Sequence, residues 1–482
     1  MITKVLFIVP HPDDELNIGG QLLYDLSKKG IQIYLIYTTN GDSDRNIGNK
    51  RISQAYSALK VLGVPQQNVF FMGYADGWAD KQHIYNNPEN KILESLSGKT
   101  HTNSLAEYDE YCYQIEGVHH SFTRLNFKTD LKNLIAMIKA CLIVCVDFDK
   151  HPDHRAASLF FEEVMGELLK EDMSYAPIVL KKFAYDGVWT GARDYYTNPR
   201  IPTLYQKSYI YSNGAHELSS PCFSWNQRLR FSTNQSTKGN FLFLNPIFKA
   251  ALKHISTNAF YCSLGIINDD IVFWWRPTEN LMMKSEIQTS SGTSIFLNDF
   301  KLYDSSDILN INEPFKNPEY GAWVPDEDDL FPEINIRFEE EQIVKEIIIY
   351  ECCDYINHVK LVEIVVDEKT IFKGELENSG LGKVIILEDS IRTKEISLKI
   401  LDYEGVPMIT EIEAYSKKQT FDWESFPIDR YSEQTQLSGR LNDKLLIYAL
   451  CAIKYKLPYE VLRLMSRIKK WFKTLHHKCI TI

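Results

Sequence analysis

The feature that most constrains the fold is a pair of short apolar runs, each of which ends in a cluster of histidine and acidic residues. Residues 5–9 (VLFIV) are followed directly by residues 10–15 (PHPDDE). Residues 142–146 (LIVCV) lead in the same way into residues 147–154 (DFDKHPDH). A run that is apolar at every position is typical of a strand buried on both faces. The pair therefore predicts an α/β fold with a mostly parallel sheet and helices on both faces.

Both clusters are expected at one edge of this sheet, because ligands of open parallel sheets bind beyond the carboxyl ends of the strands. His11 and Asp14 are three residues apart and offer a nitrogen and a carboxylate to a divalent metal such as zinc. Asp13 is left free to act as a base. Taken alone, the first cluster could also be a turn cap followed by a helix cap. The second cluster favours one metal shared between two strand ends.

The two motifs together, HPDDE at residues 11–15 and HPDH at residues 151–154, resemble those of the PIG-L/LmbE-like family of zinc-dependent N-deacetylases. The resemblance covers about the first 275 residues and implies a Rossmann-like sheet. Family members remove acetyl groups from N-acetylglucosamine linked to inositol, malate, other sugars or lipid carriers. The resemblance implies that the zinc ligands are His11, Asp14 and His154. It also implies that Asp13 is the general base and that His151 stabilises the oxyanion.

Reasoning from the residues leads to much the same assignment. Three protein ligands leave a fourth position on Zn²⁺ for water, and bound zinc lowers the pKa of that water to about 7. A neighbouring carboxylate can take the proton of this water and later deliver it to the amine that leaves. Asp13 is the carboxylate next to both Pro12 and Asp14.

The resemblance also implies three substrate-binding residues on other loops. Asp42 follows the predicted strand at residues 31–39, Arg51 lies in a predicted helix, and Asp76 follows the predicted strand at residues 69–73. Asp42 and Asp76 have an alternative role as turn residues. Gln54 stands where family members often carry a glutamate three residues after the arginine, so a local ion pair with Arg51 is in doubt.

Residues 77–125 are rich in aromatic and polar residues, as expected of loops that cover a pocket. His119 and His120 fall in this segment. Neither has an acidic partner at the spacing of metal ligands, so we interpret both as loop residues.

Beyond residue 280 the pattern changes to short, β-branched segments separated by acidic or glycine-bearing turns. Strands are predicted at residues 334–338, 343–350, 359–366, 370–374, 384–387, 396–400 and 409–415. This spacing predicts an antiparallel β-sandwich over residues 281–417. The segment also resembles the galactose-binding-like, or discoidin-type, family, with Trp323 leading into the first strands and ITEIEAY at residues 409–415 closing the domain. Such sandwiches bind glycans or only brace an enzyme, and both alternatives stay open. Trp323 is predicted to lie in the core.

Residues 418–482 are predicted to form a basic helical tail. Its last part, residues 441–482, holds nine basic residues against two acidic ones, interleaved with apolar residues. This pattern is typical of an amphipathic helix on an anionic membrane surface. The alternative is a helix docked on the acidic body of the protein or on a partner. The predicted domains are thus residues 1–280, 281–417 and 418–482.

Composition excludes some classes of function. The net charge of −11 argues against a nucleic-acid partner. The nine cysteines are an odd number without a C-x-x-C pair, which favours reduced thiols in a cytoplasmic protein. The first strand is predicted at the very start of the chain, so neither a signal peptide nor a membrane span is expected. Peripheral contact with the inner face of the membrane would suit the basic tail.

We therefore predict a zinc-dependent enzyme that hydrolyses the N-acetyl group of an N-acetylglucosamine-type sugar conjugate, in glycan, glycolipid or surface polysaccharide biosynthesis. One alternative is a glycan-binding or scaffold protein with an inactive deacetylase-like domain. A complete set of zinc ligands with a base beside them weighs against it. The other alternative is a metal-dependent amidase that acts on a non-sugar substrate.

Overall fold

The computed structural model describes most of the chain, with gaps of different lengths along it, the longest at the C-terminal end. The residues described are 2–43, 47–79, 83–105, 108–147, 149, 151–184, 210–212, 217–219, 228–238, 244–257, 259, 267, 270–302, 321–351, 357–376 and 382–431. The basic tail predicted within residues 441–482 lies outside these residues.

The N-terminal part is built on a seven-stranded sheet in the order β3-β2-β1-β4-β5-β9-β8. The first five strands in this order are parallel, β9 pairs with β5 in antiparallel orientation, and β8 pairs with β9 in antiparallel orientation. This confirms the predicted mostly parallel α/β sheet. The strands are β1 (Lys4–Val9), β2 (Gln32–Thr39), β3 (Val69–Tyr74), β4 (Leu142–Val146), β5 (Ile178–Lys182), β8 (Leu229–Ser232) and β9 (Asp270–Arg276), and a separate two-stranded sheet is formed by β6 (Ile210–Ser212) and β7 (Glu217–Ser219).

Helices connect the parallel strands, as right-handed crossover connections require. The α-helices are α1 (Asp14–Lys28), α2 (Gly48–Leu62), α3 (Tyr111–Glu116), α4 (Arg124–Ile138), α5 (Pro152–Glu171), α6 (Gln235–Lys238) and α7 (Pro246–Ala251), and 3₁₀ helices span Gln66–Asn68, Ile84–Asn86 and Leu281–Lys284. Helix α1 is kinked at Gly19, because Phe7 of β1 packs so closely that a β-carbon on Gly19 would lie 2.7 Å from its ring.

The pairing of β1 with β4 positions the two motifs. These strands are parallel neighbours in the centre of the sheet, with Val5 opposite Leu142 and Ile8 opposite Cys145. Every residue of both predicted apolar runs is fully buried. Because the two strands end at the same edge, the HPDDE loop and the HPDH loop lie side by side.

The C-terminal part is a six-stranded antiparallel sheet with its own buried apolar core. Its strands are β10 (Ser285–Thr289), β11 (Glu333–Glu351), β12 (His358–Val366), β13 (Lys369–Gly374), β14 (Lys383–Glu404) and β15 (Ile409–Tyr415). The predicted antiparallel β-fold is thereby confirmed. Trp323 is fully buried in this core and donates its indole N–H to Ser291 O (2.9 Å), so its prediction as a core residue is also confirmed.

The number of strands in this sheet was predicted incorrectly. The pattern suggested separate strands at residues 334–338 and 343–350, but both belong to the 19-residue strand β11. Likewise, the runs at residues 384–387 and 396–400 are both part of β14. Register shifts between Arg337 and Gln342 change the pairing of β11 without ending it. Such irregularities bend a strand, and the exposed charged residues at the bend look like a turn in the sequence.

The segment after β15 returns to the first domain. Phe421, Trp423 and Phe426 pack around Phe231 of β8, with ring centroids 4.9–5.7 Å from it. The predicted boundary at residue 280 falls between β9 and β10 and remains a prediction. Among the residues described, no helix is both long and apolar enough to cross a membrane.

The contact between α5 and the C-terminal part leads to a test of the fold. A β-carbon on Gly166 of α5 would lie 2.2 Å from the carbonyl oxygen of Asp299. Alanine normally favours a helix interior over glycine. Here we expect Gly166→Ala to lower the free energy of unfolding by about 1–3 kcal/mol, because the two backbones must move apart. Ser57→Ala, at an exposed position in α2, is the control, and equal thermal stability of both variants would contradict the contact.

Candidate active site

The site lies where β1 and β4 end, and each of the two loops supplies part of it. His11 follows β1, and Asp14 is the first residue of α1. His154 lies in the first turn of α5, which Pro152 begins. Proline suits this position because the first N–H groups of a helix have no partner within the helix.

Asp14 is the centre of the cluster. Its Oδ2 atom lies 3.0 Å from Nδ1 of His11 and 3.1 Å from Nε2 of His154, and all three side chains are buried. Burial alone would raise the pKa of Asp14, but the two imidazoles hold it well below its usual range. Burial opposes the protonation of His154, yet the adjacent carboxylates raise its pKa to about 9. The carboxylates of the cluster therefore favour positive charge on the neighbouring imidazoles, and a bound metal cation could supply that charge in place of the imidazole protons.

Asp149 orients His154 from the other side. Its Oδ2 lies 2.8 Å from Nδ1 of His154 and accepts the backbone N–H of Ala184 (3.0 Å), while its Oδ1 accepts the backbone N–H of His151 (2.9 Å). A carboxylate on the second nitrogen fixes the ring orientation and tautomer of a metal-binding histidine. Sequence reasoning did not assign this role, although Asp149 belongs to the cluster after β4.

The ring of His151 packs against the rings of His11 and His154. Its ring centroid lies 4.7 Å from that of His11 and 4.8 Å from that of His154. Burial, followed by the two imidazoles, lowers the pKa of His151 to about 4, so the ring is neutral at neutral pH. Its Nδ1 accepts the backbone N–H of Asp153 (3.3 Å). The single ring proton is therefore on Nε2, and that nitrogen is a donor.

Asp153 and His83 form a second pair that the sequence did not reveal. One carboxylate oxygen of Asp153 is 3.1 Å from Nε2 of His11, and the other is 2.8 Å from Nε2 of His83. His11 Nε2 also lies 3.5 Å from Asp76. His83 comes from the loop segment after β3 and is buried. No local motif marks it, because its partner is 70 residues away.

Asp13 is held in an unusual conformation beside the cluster. Its φ of 139° is rare for a residue with a side chain, and such strain is concentrated at functional sites. Its backbone N–H donates to Glu15 (2.9 Å), and Arg51 lies 3.5 Å from its Oδ1. That oxygen is buried and accepts no hydrogen bond from any residue that the structure describes. Burial raises the pKa of Asp13, with Arg51 opposing the rise.

Glu15 connects the motif to a distant part of the chain. Its Oε1 lies 2.7 Å from Nε2 of His254, and both side chains are fully buried. Since His254 directly follows α7, this pair fixes the segment after α7 against the first turn of α1. The acidic residue at position 15 therefore has a structural partner of its own.

Arg51 and Asp76 lie in the site, as their predicted role requires. Arg51 donates to Asp76 Oδ2 (3.2 Å) and to Gly41 O (3.0 Å). Gly41 has a φ of +62°, and a β-carbon there would lie 2.8 Å from the guanidinium carbon, so glycine is required. The side-chain oxygen of Gln54 accepts a hydrogen bond from the hydroxyl of Ser256 (2.7 Å). Among the described contacts, Gln54 has none with Arg51.

Asp42 is held by a different partner. Its Oδ2 lies 3.4 Å from Nζ of Lys99, and burial nevertheless raises its pKa. The structure thus places Asp42 in the loop after β2, next to the ammonium group of Lys99, which belongs to the loop segment of residues 77–125.

Two overlapping groups of side chains could hold a metal here. The donor atoms of His11, His151 and His154 lie within 4.8 Å of one another, and so do those of His11, Asp76 and Asp153. The predicted ligands His11 and His154 are in the first group, and the third predicted ligand, Asp14, contacts both of them. The arrangement can therefore hold one divalent cation on nitrogen and carboxylate ligands, with Asp13 next to it.

Comparison with known proteins shows a family match for this part of the chain. Residues 6–165 match the PIG-L family, described as GlcNAc-PI de-N-acetylase. The 1D-myo-inositol 2-acetamido-2-deoxy-alpha-D-glucopyranoside deacetylase of Corynebacterium glutamicum (strain R) is 26% identical over 183 residues, which are 34% of this chain and 53% of that protein. The corresponding enzyme of strain ATCC 13032 gives the same values. The chain spans about half the length of the curated relatives it matches.

Two solved structures resemble separate parts of the chain. The N,N'-diacetylchitobiose deacetylase from Pyrococcus horikoshii has 14% identity and a TM-score of 0.26, covering 38% of this chain and 62% of its own. The family 32 carbohydrate-binding module of C. perfringens NanJ has 14% identity and a TM-score of 0.21, covering 28% of this chain and 95% of its own. Because both TM-scores are below 0.5, these likenesses by themselves establish neither fold nor function.

The contact between Asp149 and His154 gives a test of the site. We expect Asp149→Asn to weaken Zn²⁺ binding by about 10- to 100-fold, because the amide no longer fixes the orientation of the imidazole. The measurement is competition with a chelator of known affinity. Asp389→Asn, at an exposed position in β14, is the control. Unchanged affinity in Asp149→Asn would show that His154 needs no such partner.

Proposed function

Because the N-terminal part of the chain carries a PIG-L family domain, we propose that the protein is a metal-dependent N-deacetylase of an N-acetylglucosamine-type sugar conjugate. The observation that carries the proposal is the buried carboxylate of Asp13, strained and without a hydrogen bond to its Oδ1 from the described residues, beside a cluster of potential metal ligands. An aspartate with only a structural role is expected to have both carboxylate oxygens hydrogen-bonded, because an unpaired buried polar atom lowers the stability of the fold.

The cofactor that fits the site is Zn²⁺, held by His11, Asp14 and His154. Two imidazoles and one carboxylate are the donor types of catalytic zinc sites, which keep a position for water. When bound, zinc supplies an electrophile that activates water and polarises the amide carbonyl. Asp149 fits the same assignment, since it already engages the second nitrogen of His154.

In this proposal Asp13 moves the proton. Burial raises the pKa of its carboxyl above the usual value, a direction that suits a group that must both accept and release a proton. Asp13 takes a proton from the attacking water and delivers it to the nitrogen that leaves as an amine. Arg51, 3.5 Å from Oδ1, keeps the carboxylate in place and limits the rise of its pKa.

His151 stabilises the negative charge that develops on the acetyl oxygen. The ring is neutral, and its proton is on Nε2 because Nδ1 accepts the N–H of Asp153. A neutral donor fixed in advance is well suited to an oxyanion. His151 is about one-third exposed, more than His11 or His154, so it faces the side from which substrate enters.

Arg51, Asp76 and Asp42 are proposed to contact the sugar or its carrier. Asp42 lies in the loop after β2, Arg51 in the first turn of α2 and Asp76 in the loop after β3, all at the same edge of the sheet. Charged and polar groups at this edge suit hydroxyl and phosphate groups. The product is a free amino sugar and acetate, as expected of an enzyme in glycan, glycolipid or surface polysaccharide biosynthesis. Contact of the basic tail with an anionic membrane stays a prediction.

Replacement of the base separates catalysis from metal binding. We expect Asp13→Ala to keep its metal and fold but to lose about 100- to 10,000-fold in the rate of acetate release, because the proton transfer is lost. His154→Ala should instead lose the metal. The assay is acetate release from free, nucleotide-linked, inositol-linked and lipid-linked N-acetylglucosamine, combined with metal analysis.

The same assay distinguishes the alternatives. Asp389→Ala is the control for a surface aspartate. Normal turnover by Asp13→Ala would refute its assignment as the base. A wild-type protein that binds no metal and releases no acetate, but is retained by glycans, would favour the binding protein. Non-sugar N-acetyl amides are added to the panel, and release of acetate from these alone would favour the amidase.

A further inference from the structure

A second cluster of metal-binding side chains lies outside the deacetylase site. The donor atoms of Cys112, His120 and Asp130 all lie within 4.8 Å of one another. They come from α3, from the loop after it and from α4. We propose that these three residues bind a Zn²⁺ ion that stabilises the surrounding loop, with water in the fourth position. The sequence analysis interpreted His119 and His120 as loop residues, and the structure places both in the loop after α3. The structure also gives each an acidic contact that the sequence did not reveal, Asp130 for His120 and Glu110 for His119.

The two nitrogens of His120 already have the arrangement of a metal-binding histidine. Nδ1 is 2.9 Å from Oδ1 of Asp130, and Nε2 is 3.2 Å from Oε2 of Glu116. Ligand atoms about 2.0–2.2 Å from a tetrahedral zinc ion lie about 3.3–3.6 Å from one another. Nδ1 and Oδ1 are at hydrogen-bonding distance, and they would move apart by only about 0.4–0.7 Å to bind one ion. Glu116 contacts Nε2, the nitrogen that would not bind the ion. Metal-binding histidines commonly have a carboxylate on this second nitrogen.

The remaining two ligands are also held from outside the cluster. The second oxygen of Asp130 accepts the hydroxyl of Tyr74 (2.7 Å), which leaves Oδ1 for the metal. The buried thiol of Cys112 lies 3.0 Å from Oγ1 of Thr102. Glu110, 3.6 Å from the thiol, is engaged by Ser104 (2.6 Å) as well as by Thr102 and His119, so it supports the site rather than binding the ion.

A hydrogen-bonded network without metal is the alternative. It explains the contacts of Asp130 with His120 and Tyr74, and those of the Cys112 thiol with Thr102 and Glu110. It does not require a thiol, an imidazole and a carboxylate within 4.8 Å of one another. A Cys-His-Asp nucleophile is a poorer fit, because the imidazole nitrogen that would activate the thiol contacts Glu116 instead. Thiolate, imidazole and carboxylate together select zinc among the common divalent ions.

The position of the cluster indicates what the ion does. It ties the loop segment that contains α3 to α4 and, through Tyr74, to the end of β3. Tyr74 is two residues before Asp76 of the active site. Glu116 is exposed and His120 partly so, which gives an ion a route from solvent. Zinc would therefore stabilise the wall of the substrate pocket without taking part in catalysis.

Cobalt substitution tests this site separately from the deacetylase site. The full-length protein is stripped of metal and loaded with Co²⁺, and the near-ultraviolet charge-transfer band from a thiolate to cobalt is recorded. The deacetylase ligands include no cysteine, so the band reports only a cysteine site. We expect the band in the wild type and in His154→Ala, whatever their activity. Cys112→Ser and His120→Gln should lose it, together with one bound ion per chain.

The controls make either result decisive. Cys141→Ser replaces an exposed cysteine and should leave the band unchanged. Circular dichroism establishes that each variant is folded, and His120→Gln replaces Cys112→Ser if the latter is not. A folded wild type without the band, or a band that persists in Cys112→Ser, would overturn the second zinc site while leaving the proposed deacetylase untouched.

Discussion

The parallel pairing of β1 with β4 is the constraint on which the rest of the structure depends. It fixes two loops, about 140 residues apart in sequence, at one edge of the sheet, and these loops supply His11, Asp14 and His154. A one-residue slip would turn every side chain of β1 to the opposite face of the sheet. Both strands are buried on both faces, so their apolar side chains determine the register, and the register determines the site.

The charges gathered at this edge are stable because nearly all of them have partners. An isolated buried charge costs several kcal/mol, so buried carboxylates and imidazoles in proteins are normally paired. Here Asp14 lies between two histidines, Asp149 engages His154, and Asp153 lies between His11 and His83. Asp13 differs, with one buried oxygen that accepts no hydrogen bond within the described part of the chain. The same principle of paired burial organises the Cys112 cluster, which has its own shell of supporting groups.

The sequence predicted the parts of this structure that depend on local pattern. Buried strands, the loops at their ends and the residues of the two motifs could be found because a continuous apolar run and a dense polar cluster are visible within a few residues. Long-range partners could not. His83 meets Asp153 across 70 residues and Glu15 meets His254 across 239, and no spacing rule connects them. The contact of His120 with Asp130 was missed for the same reason. The bends in β11 and β14 resembled turns because charged residues are frequent in both bends and turns.

The central claim is that a metal in the His11 cluster is required for deacetylation, and reconstitution tests it most directly. The full-length protein is stripped with a chelator, and acetate release from the N-acetylglucosamine conjugate that the native enzyme uses best is followed as Zn²⁺ is returned. The account predicts that release is lost on stripping and returns with zinc, and that His154→Ala shows no such recovery. Full acetate release by metal-free protein would contradict it.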